Sequence, residues 1–362
     1  MLQIDAGTEY LRHSQGWTMT EAELWPLQTS LILFVAAGAV IAVCGVMVTT
    51  RAERLARDTG LGQAITGAVF LGAMTSLSGL ITSLTAALEN HPQLAISNAV
   101  GGIAVQTTFL ALADIFYRKA NLEHAAASEA NLVQGAVLVV LLGIPMLAGF
   151  TPDRTLLGVH PVSVLLVVAY LFGLHLIAGA HHAPMWQPRR TRETQSEQQH
   201  PARPGHSELL SLWAGFLILA VLVACAGWVI ANAGLSIAAR TGLTEGVIGT
   251  LFTAITTSLP EAVIAVAAVR RGALTLAVGD IIGGNTFDVL FLAFSDLMYR
   301  SGSIYHAVTP VQSFWLALSL LMTAVLLLGL IRREEHGIGN IGFESFLVLV
   351  FYLGGLLLLV LT

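Results

Sequence analysis

Apolar residues run along this chain in blocks of about 20, the length a helix needs to cross the hydrocarbon core of a bilayer. Ten such blocks are read, near 27–49, 63–88, 94–117, 132–150, 161–179, 209–231, 246–269, 274–298, 310–331 and 342–362. Backbone groups in lipid must be satisfied within their own segment, so spans at this density predict an all-α polytopic membrane protein.

The polar positions inside these blocks recur. Residues Leu61 to Arg118 align without a gap on Leu243 to Arg300, with about seventeen of fifty-eight pairs identical, far above chance for two apolar helices. Thr75-Ser76-Leu77 pairs with Thr257-Ser258-Leu259, and Gly101-Gly102 with Gly283-Gly284. Asp114, Tyr117 and Arg118 pair with Asp296, Tyr299 and Arg300. Basic residues set the orientation. Of the 17 Lys and Arg, all but Arg12, Arg154, Arg240 and Arg300 fall in loops on one side, and such loops stay cytoplasmic. Both termini then lie outside, the first copy starts inside and the second starts outside. The expected architecture is about ten transmembrane helices in a 5+5 inverted repeat. Repeats of this kind build secondary transporters, with the substrate site at the midplane between the copies.

The expected organisation is an extracytoplasmic segment at 1–26, a first five-helix repeat at 27–179, a cytoplasmic linker at 180–208 and a second repeat at 209–362. Met1 to Pro26 has neither a basic start nor a cleavage site, so it is not read as a signal peptide. The linker, rich in His, Pro, Gln and Arg, reads as a solvated tether whose histidines are too irregular for a metal site. The remaining loops leave no room for an extramembrane catalytic domain. Composition agrees: 11% charged residues and a mean hydropathy of +0.77 exclude an ordinary soluble domain. Cys44 and Cys225 fall inside spans and read as small packing residues.

Candidate chemistry comes from ionisable residues inside spans, which are costly and mark function by default. Glu261 follows Thr256-Thr257-Ser258-Leu259-Pro260, and Pro260 donates no backbone hydrogen bond, which frees the carbonyl of Thr256. A carbonyl, hydroxyls and a carboxylate make an oxygen cluster suited to a hard cation. The next helix carries Gly279-Asp280-Ile281-Ile282-Gly283-Gly284-Asn285-Thr286-Phe287-Asp288, with Asp280, Gly284 and Asp288 spaced along one face. Its glycines permit close approach of a neighbour, or unwinding of the helix. In the first copy Ser78-Gly79 replaces Pro260-Glu261, and Asn98, Ile103 and Gln106 replace Asp280, Asn285 and Asp288. The first copy therefore offers only hydroxyls and amides, and the site should be asymmetric. Asp114 with Arg118, and Asp296 with Arg300, read as local ion pairs that anchor the hairpin ends at the interface.

Thr257-Ser258-Leu259-Pro260-Glu261 followed by the Gly279–Asp288 segment resembles the second α-repeat of the sodium/calcium exchanger superfamily. The match is partial in the first copy and extends across the chain through the ten spans and the inverted arrangement. The resemblance implies an antiporter that binds Ca²⁺ and Na⁺ by turns, with Glu261, Asp280, Thr257, Ser258, Thr75, Ser76 and Asn98 as ligands. Thr256, Asn285 and Asp288 complete the candidate set. Family members normally carry a second glutamate where this chain has Gly79. Asp280 is expected to restore that charge beside Glu261.

The reading is a secondary active cation antiporter of the inner or plasma membrane, exchanging Ca²⁺ for Na⁺ or H⁺. The alternatives are a monovalent cation/H⁺ antiporter, motivated by Gly79, and a non-transporting relic. No enzyme activity, cofactor or nucleic acid is expected, and partners reduce to the transported cations and the lipid. The chain has no phosphate-binding loop, so an ion gradient should drive it. An intramembrane aspartyl protease is disfavoured, because no second aspartate is suitably placed opposite Asp280.

Overall fold

The computed structural model describes residues 24–59, 73–117, 121–182, 206–334 and 341–361. Apart from one isolated bridge between Leu156 and Val159, the regular structure among them is helical. In chain order the helices are α1 (Leu27–Thr59), α2 (Leu77–Leu88), α3 (Pro92–Phe116), the short α4 (Leu122–Ala126), α5 (Glu129–Ala148) and α6 (Pro161–His182). The second half holds α7 (His206–Thr241), α8 (Glu245–Thr257), α9 (Leu259–Arg271), α10 (Leu274–Asp288), α11 (Leu290–Met298), α12 (Pro310–Arg332) and α13 (Phe343–Leu361).

Among the described residues eight helices are long and apolar enough to cross a membrane, with α10 and α11 forming one. The pair α8 and α9 adds a ninth, bent by 46°, where the sequence predicted a single span over 246–269. The expected span 63–88 lies partly outside the described residues, and α2 is its described end. The expected terminal segment and linker also lie largely outside them. At the linker's edges α6 runs on through His182 and α7 already begins at His206.

Burial sorts the spans. Within its most apolar stretch α3 is 94% buried and α10–α11 78%, against 28% for α1 and 22% for α7. The helices bearing the candidate chemistry are therefore central. The long helices α1 and α7 turn their apolar sides outward, as a bilayer solvent allows. They meet along seams of their own, with Val48, Ala52 and Leu55 beside Phe216, Leu219 and Val223, and Ala37 and Ile41 beside Ala226 and Ile230. Each also crosses the other repeat at its helix break. A Cβ on Gly45 would lie 2.4 Å from Pro260 Cγ, and one on Gly227 2.6 Å from the Ser78 carbonyl oxygen. Gly45 and Ser78 stand at the same repeat offset as Gly227 and Pro260, so both breaks are sealed by the same glycine contact.

The offset that carries Leu61 onto Leu243 reappears in the hydrogen bonds. Asp114 accepts the backbone N–H groups of Leu122 (2.7 Å) and Gly342 (3.1 Å). Asp296 accepts those of Ile304 (3.1 Å) and His160 (2.7 Å), the equivalent positions in the other repeat. Each aspartate thus pins the start of the last span of the opposite half through charge-assisted bonds. This corrects the expected local ion pair of Asp296 with Arg300. Among the described residues no ion pair joins Asp296 to Arg300; Asp296 is fully buried and takes a third bond from the Ser163 hydroxyl at 2.7 Å. Arg118 lies outside the described residues.

The two clamps differ in one respect. Where Tyr305 stands near Asp296, the first clamp has Glu123 on α4, which accepts from the Ser345 hydroxyl at 3.0 Å. Burial, reinforced by the charges of Asp114 and Glu344, pushes the Glu123 carboxyl well above the usual carboxylate range. The folded protein therefore holds this proton more tightly than the unfolded chain. Stability then falls as pH rises above the unfolded value of about 4.3, and the full loss is reached above the folded value. Thermal denaturation in detergent from about pH 5 to about pH 9 should show this decline, and Glu123→Gln should flatten it. An equally steep decline in the variant would show that the proton sits elsewhere.

Candidate functional site

Both repeats break at the same place. Ser76 interrupts the helical run that continues as α2, and Ser258 interrupts the run between α8 and α9. Pro260 sits in the first turn of α9, where the missing N–H costs nothing because that donor would be unpaired in any helix. The breaks face each other across α3 and α10, and between them lies a small cavity. It is lined by Ser76 and Gly79 from the first break, Thr257, Ser258 and Glu261 from the second, Asn98, Gly102 and Gln106 from α3, Asp288 at the end of α10, and Phe291 on α11.

Two carboxylates reach this cavity, Glu261 and Asp288, each only 2% exposed. Asp288 Oδ2 accepts from Gln106 Nε2 at 2.6 Å, and that amide also lies 3.4 Å from Ser258 Oγ. Glu261 Oε1 and Oε2, Asp288 Oδ1 and Gln106 Oε1 are buried with no protein hydrogen-bond partner. Burying a carboxylate without partners is expensive, so this grouping is retained against stability. Its free atoms are all oxygen acceptors, the donor set that hard cations prefer.

Asn98 is committed differently. Its Nδ2 donates to the Gly79 carbonyl (3.0 Å) and to Ser83 Oγ (2.9 Å), while its Oδ1 accepts from Thr253 (2.8 Å) and Thr257 (3.5 Å). It joins the two breaks and fixes their separation. Ser78 Oγ reinforces that junction by donating to the Thr257 carbonyl at 3.1 Å. Glu245, at the start of α8, accepts from the Leu94 N–H and pairs with His91 at 2.7 Å, which holds α8 to the beginning of α3.

Of the residues selected from sequence, Glu261, Thr257, Ser258, Ser76, Asn98 and Asp288 meet at the cavity. The others do not line it. Asp280 is only partly buried and does not line the cavity; the carboxylate that lines it with Glu261 is Asp288, two helical turns further along α10. Thr75 is buried outside the lining. Thr256 turns its methyl group toward Gly38 on α1. Asn285 donates to Thr107 Oγ1 at 3.0 Å and ties α10 to α3. The α10 glycines are used for approach, not unwinding: the helix stays regular, and a Cβ on Gly283 would meet Gln134 of α5 at 2.5 Å. Phe291 was not selected, and Gln106 was named among the first copy's amides but left out of the ligand set. Gln106 had a signal, because it is the repeat partner of Asp288.

The family model for the sodium/calcium exchanger protein matches residues 29–178 and 210–361. CaxA of Alkalimonas amylolytica is 28% identical over 302 residues, covering 82% of this chain and 89% of that protein. In fold, the chain resembles the H⁺/Ca²⁺ exchanger CAX, with a TM-score of 0.69 at 12% identity over 97% of this chain and 87% of that one. It also resembles the sodium-calcium exchanger NCX_Mj, with a TM-score of 0.58 at 19% identity over 91% and 98% of the two chains. Two matched segments that together span both repeats, each with its helix broken at the same Thr-Ser-Leu, place this multi-pass membrane protein in the sodium/calcium exchanger family.

Proposed function

We propose that the chain is a secondary antiporter that binds a cation on Glu261 and Asp288 and exchanges it across the membrane by alternating access. The observation carrying this reading is the convergence of two buried carboxylates, with three unpartnered oxygens between them, on one cavity where the two repeats meet. A bound cation supplies the charge this cavity lacks, and a second ion or proton supplies it on the return step. The protein is therefore driven by an ion gradient and needs no cofactor. Ca²⁺ exchanged for Na⁺ or H⁺ is the favoured pair, since two carboxylates neutralise one divalent ion, and the structurally similar CAX and NCX_Mj are named as H⁺/Ca²⁺ and sodium-calcium exchangers. Gly79 favours a second reading: with one glutamate fewer than the family pattern, the same pair would carry a monovalent cation against protons. The two halves, 27–179 and 209–362, then lie inverted in an inner or plasma membrane, with both termini outside, as the basic loops direct.

Flux measurements on purified protein in liposomes test this. Gradients of Ca²⁺, Na⁺, K⁺ and H⁺ are imposed in turn and uptake of each ion is followed. Calcium flux that requires an opposing sodium or proton gradient is the expected result. Monovalent exchange without calcium flux would select the second reading, and no flux of any ion would remove both.

A further inference from the structure

The position that pairs with Glu261 in the first repeat is Gly79, and the structure shows what stands there instead. A Cβ on Gly79 would lie 3.0 Å from Phe291 Cε2, 3.6 Å from its Cζ and 3.5 Å from Thr257 Oγ1. Phe291 is 2% exposed and lines the cavity beside both carboxylates. Its ring is held edge-on by Phe287, with centroids 6.1 Å apart and planes at 84°, and Phe287 packs in the same way on Tyr170 of α6. Such pairs favour their orientation beyond simple burial, so moving the ring aside for a new side chain costs energy.

Of the polar groups on this side of the cavity, Asn98 is already committed, whereas the buried Ser76 Oγ is not. Asn98 uses its amide nitrogen on the Gly79 carbonyl and Ser83, and its oxygen on Thr253 and Thr257. The unpartnered oxygens of Glu261, Asp288 and Gln106 belong to α9, α10 and α3. The carboxylates thus stand on the second-repeat side of the cavity, and the first-repeat side offers the Ser76 hydroxyl and the Phe291 ring.

We infer that Phe291 is a specificity-determining residue: over Gly79 it occupies the space of a first-repeat carboxylate and limits the cavity to one cation at a time, held on Glu261 and Asp288. This deepens the function proposed above and rests on it. It follows that Gly79 and Phe291 act as a pair. A glutamate at 79 is crowded by the ring while it is present, and gains both room and a role once the ring is gone.

The experiment is a double-variant cycle of radioactive Ca²⁺ binding to detergent-purified protein, with Na⁺ and H⁺ as competitors. It uses wild type, Gly79→Glu, Phe291→Ala and Gly79→Glu/Phe291→Ala. In the wild type, competition by Na⁺ should follow a Hill coefficient of about 1, as one site requires. Gly79→Glu alone should weaken Ca²⁺ binding. The same change in the Phe291→Ala background should strengthen it by about tenfold and raise the Na⁺ Hill coefficient toward about 2. The reversal of sign is the reading, because a residue that merely packs would make Gly79→Glu harmful in both backgrounds. Thermal melts of all four proteins separate unfolding from lost affinity, and Gly79→Ala with Phe291→Leu gives a milder second cycle if the first pair does not fold. Normal wild-type binding with no reversal overturns the inference and leaves the antiporter reading intact. No binding of any cation by wild type, with no flux in liposomes, overturns both.

Discussion

Asp288→Asn is expected to lower exchange activity by at least about a hundredfold, while Asp280→Asn lowers it by no more than about threefold. Removing one charge of a buried, desolvated set costs on the order of 2–5 kcal/mol, and each 1.4 kcal/mol is a factor of ten. Asp288 meets that description: it is 2% exposed, one oxygen is aligned by Gln106 at 2.6 Å, and the other faces the cavity unpartnered. Asp280 does not, because it is partly solvated and outside the lining. Calcium-dependent flux in liposomes containing each variant decides the matter. The opposite ranking would return the second carboxylate to Asp280 and would mean that the transported ion binds about two helical turns along α10 from Asp288.

That contrast shows where the sequence was readable. Spacing alone places Asp280 and Asp288 on the same face of one helix, so both satisfy the periodic argument equally. They are separated by the neighbouring chain: α3 crosses at the Asp288 end and brings Gln106 to it, and no local pattern contains that crossing. The repeat was a better guide than the periodicity. Pairing the copies position by position sets Gln106 against Asp288, the two side chains that are hydrogen-bonded. It also sets Asp114 against Asp296, whose bonds to Leu122 and Ile304 fall at matching positions. The expected Asp296–Arg300 pair failed because helical spacing between opposite charges competes with the backbone N–H groups of His160 and Ile304, which Asp296 accepts instead. Apolar length, which responds directly to bilayer thickness, made the spans legible: ten are expected, and among the described residues eight are found, or nine with the bent pair counted as one. The break at Ser258 was only half legible: Pro260 announces an irregularity, but the break precedes it by two residues and recurs at Ser76, where there is no proline. Phe291 was hidden for a related reason. An apolar residue in an apolar span carries no signal until the glycine it covers is seen beside it.

Glu261→Gln is expected to abolish exchange and at the same time raise the melting temperature of the protein measured without added cation. The substitution keeps the shape of the side chain and removes its charge. Both carboxylate oxygens of Glu261 are buried without a hydrogen-bond partner, in a cavity that already contains Asp288. Two carboxylates in one desolvated site are costly to bury and repel each other, and the folded state bears that cost whenever no cation is bound. Relieving it should stabilise the empty protein by about 1–3 kcal/mol, or several degrees in melting temperature. Ligand binding adds the complementary signature. A cation that binds only the folded state raises the melting temperature as its concentration passes the dissociation constant, so Ca²⁺ should stabilise wild type and leave Glu261→Gln unmoved. The two curves should therefore cross: the variant melts higher without Ca²⁺ and lower at saturating Ca²⁺. Loss of transport with a lowered melting temperature would mean that Glu261 holds the fold together. Loss of transport with the crossing would mean that the chain carries a destabilising carboxylate because the ion needs it.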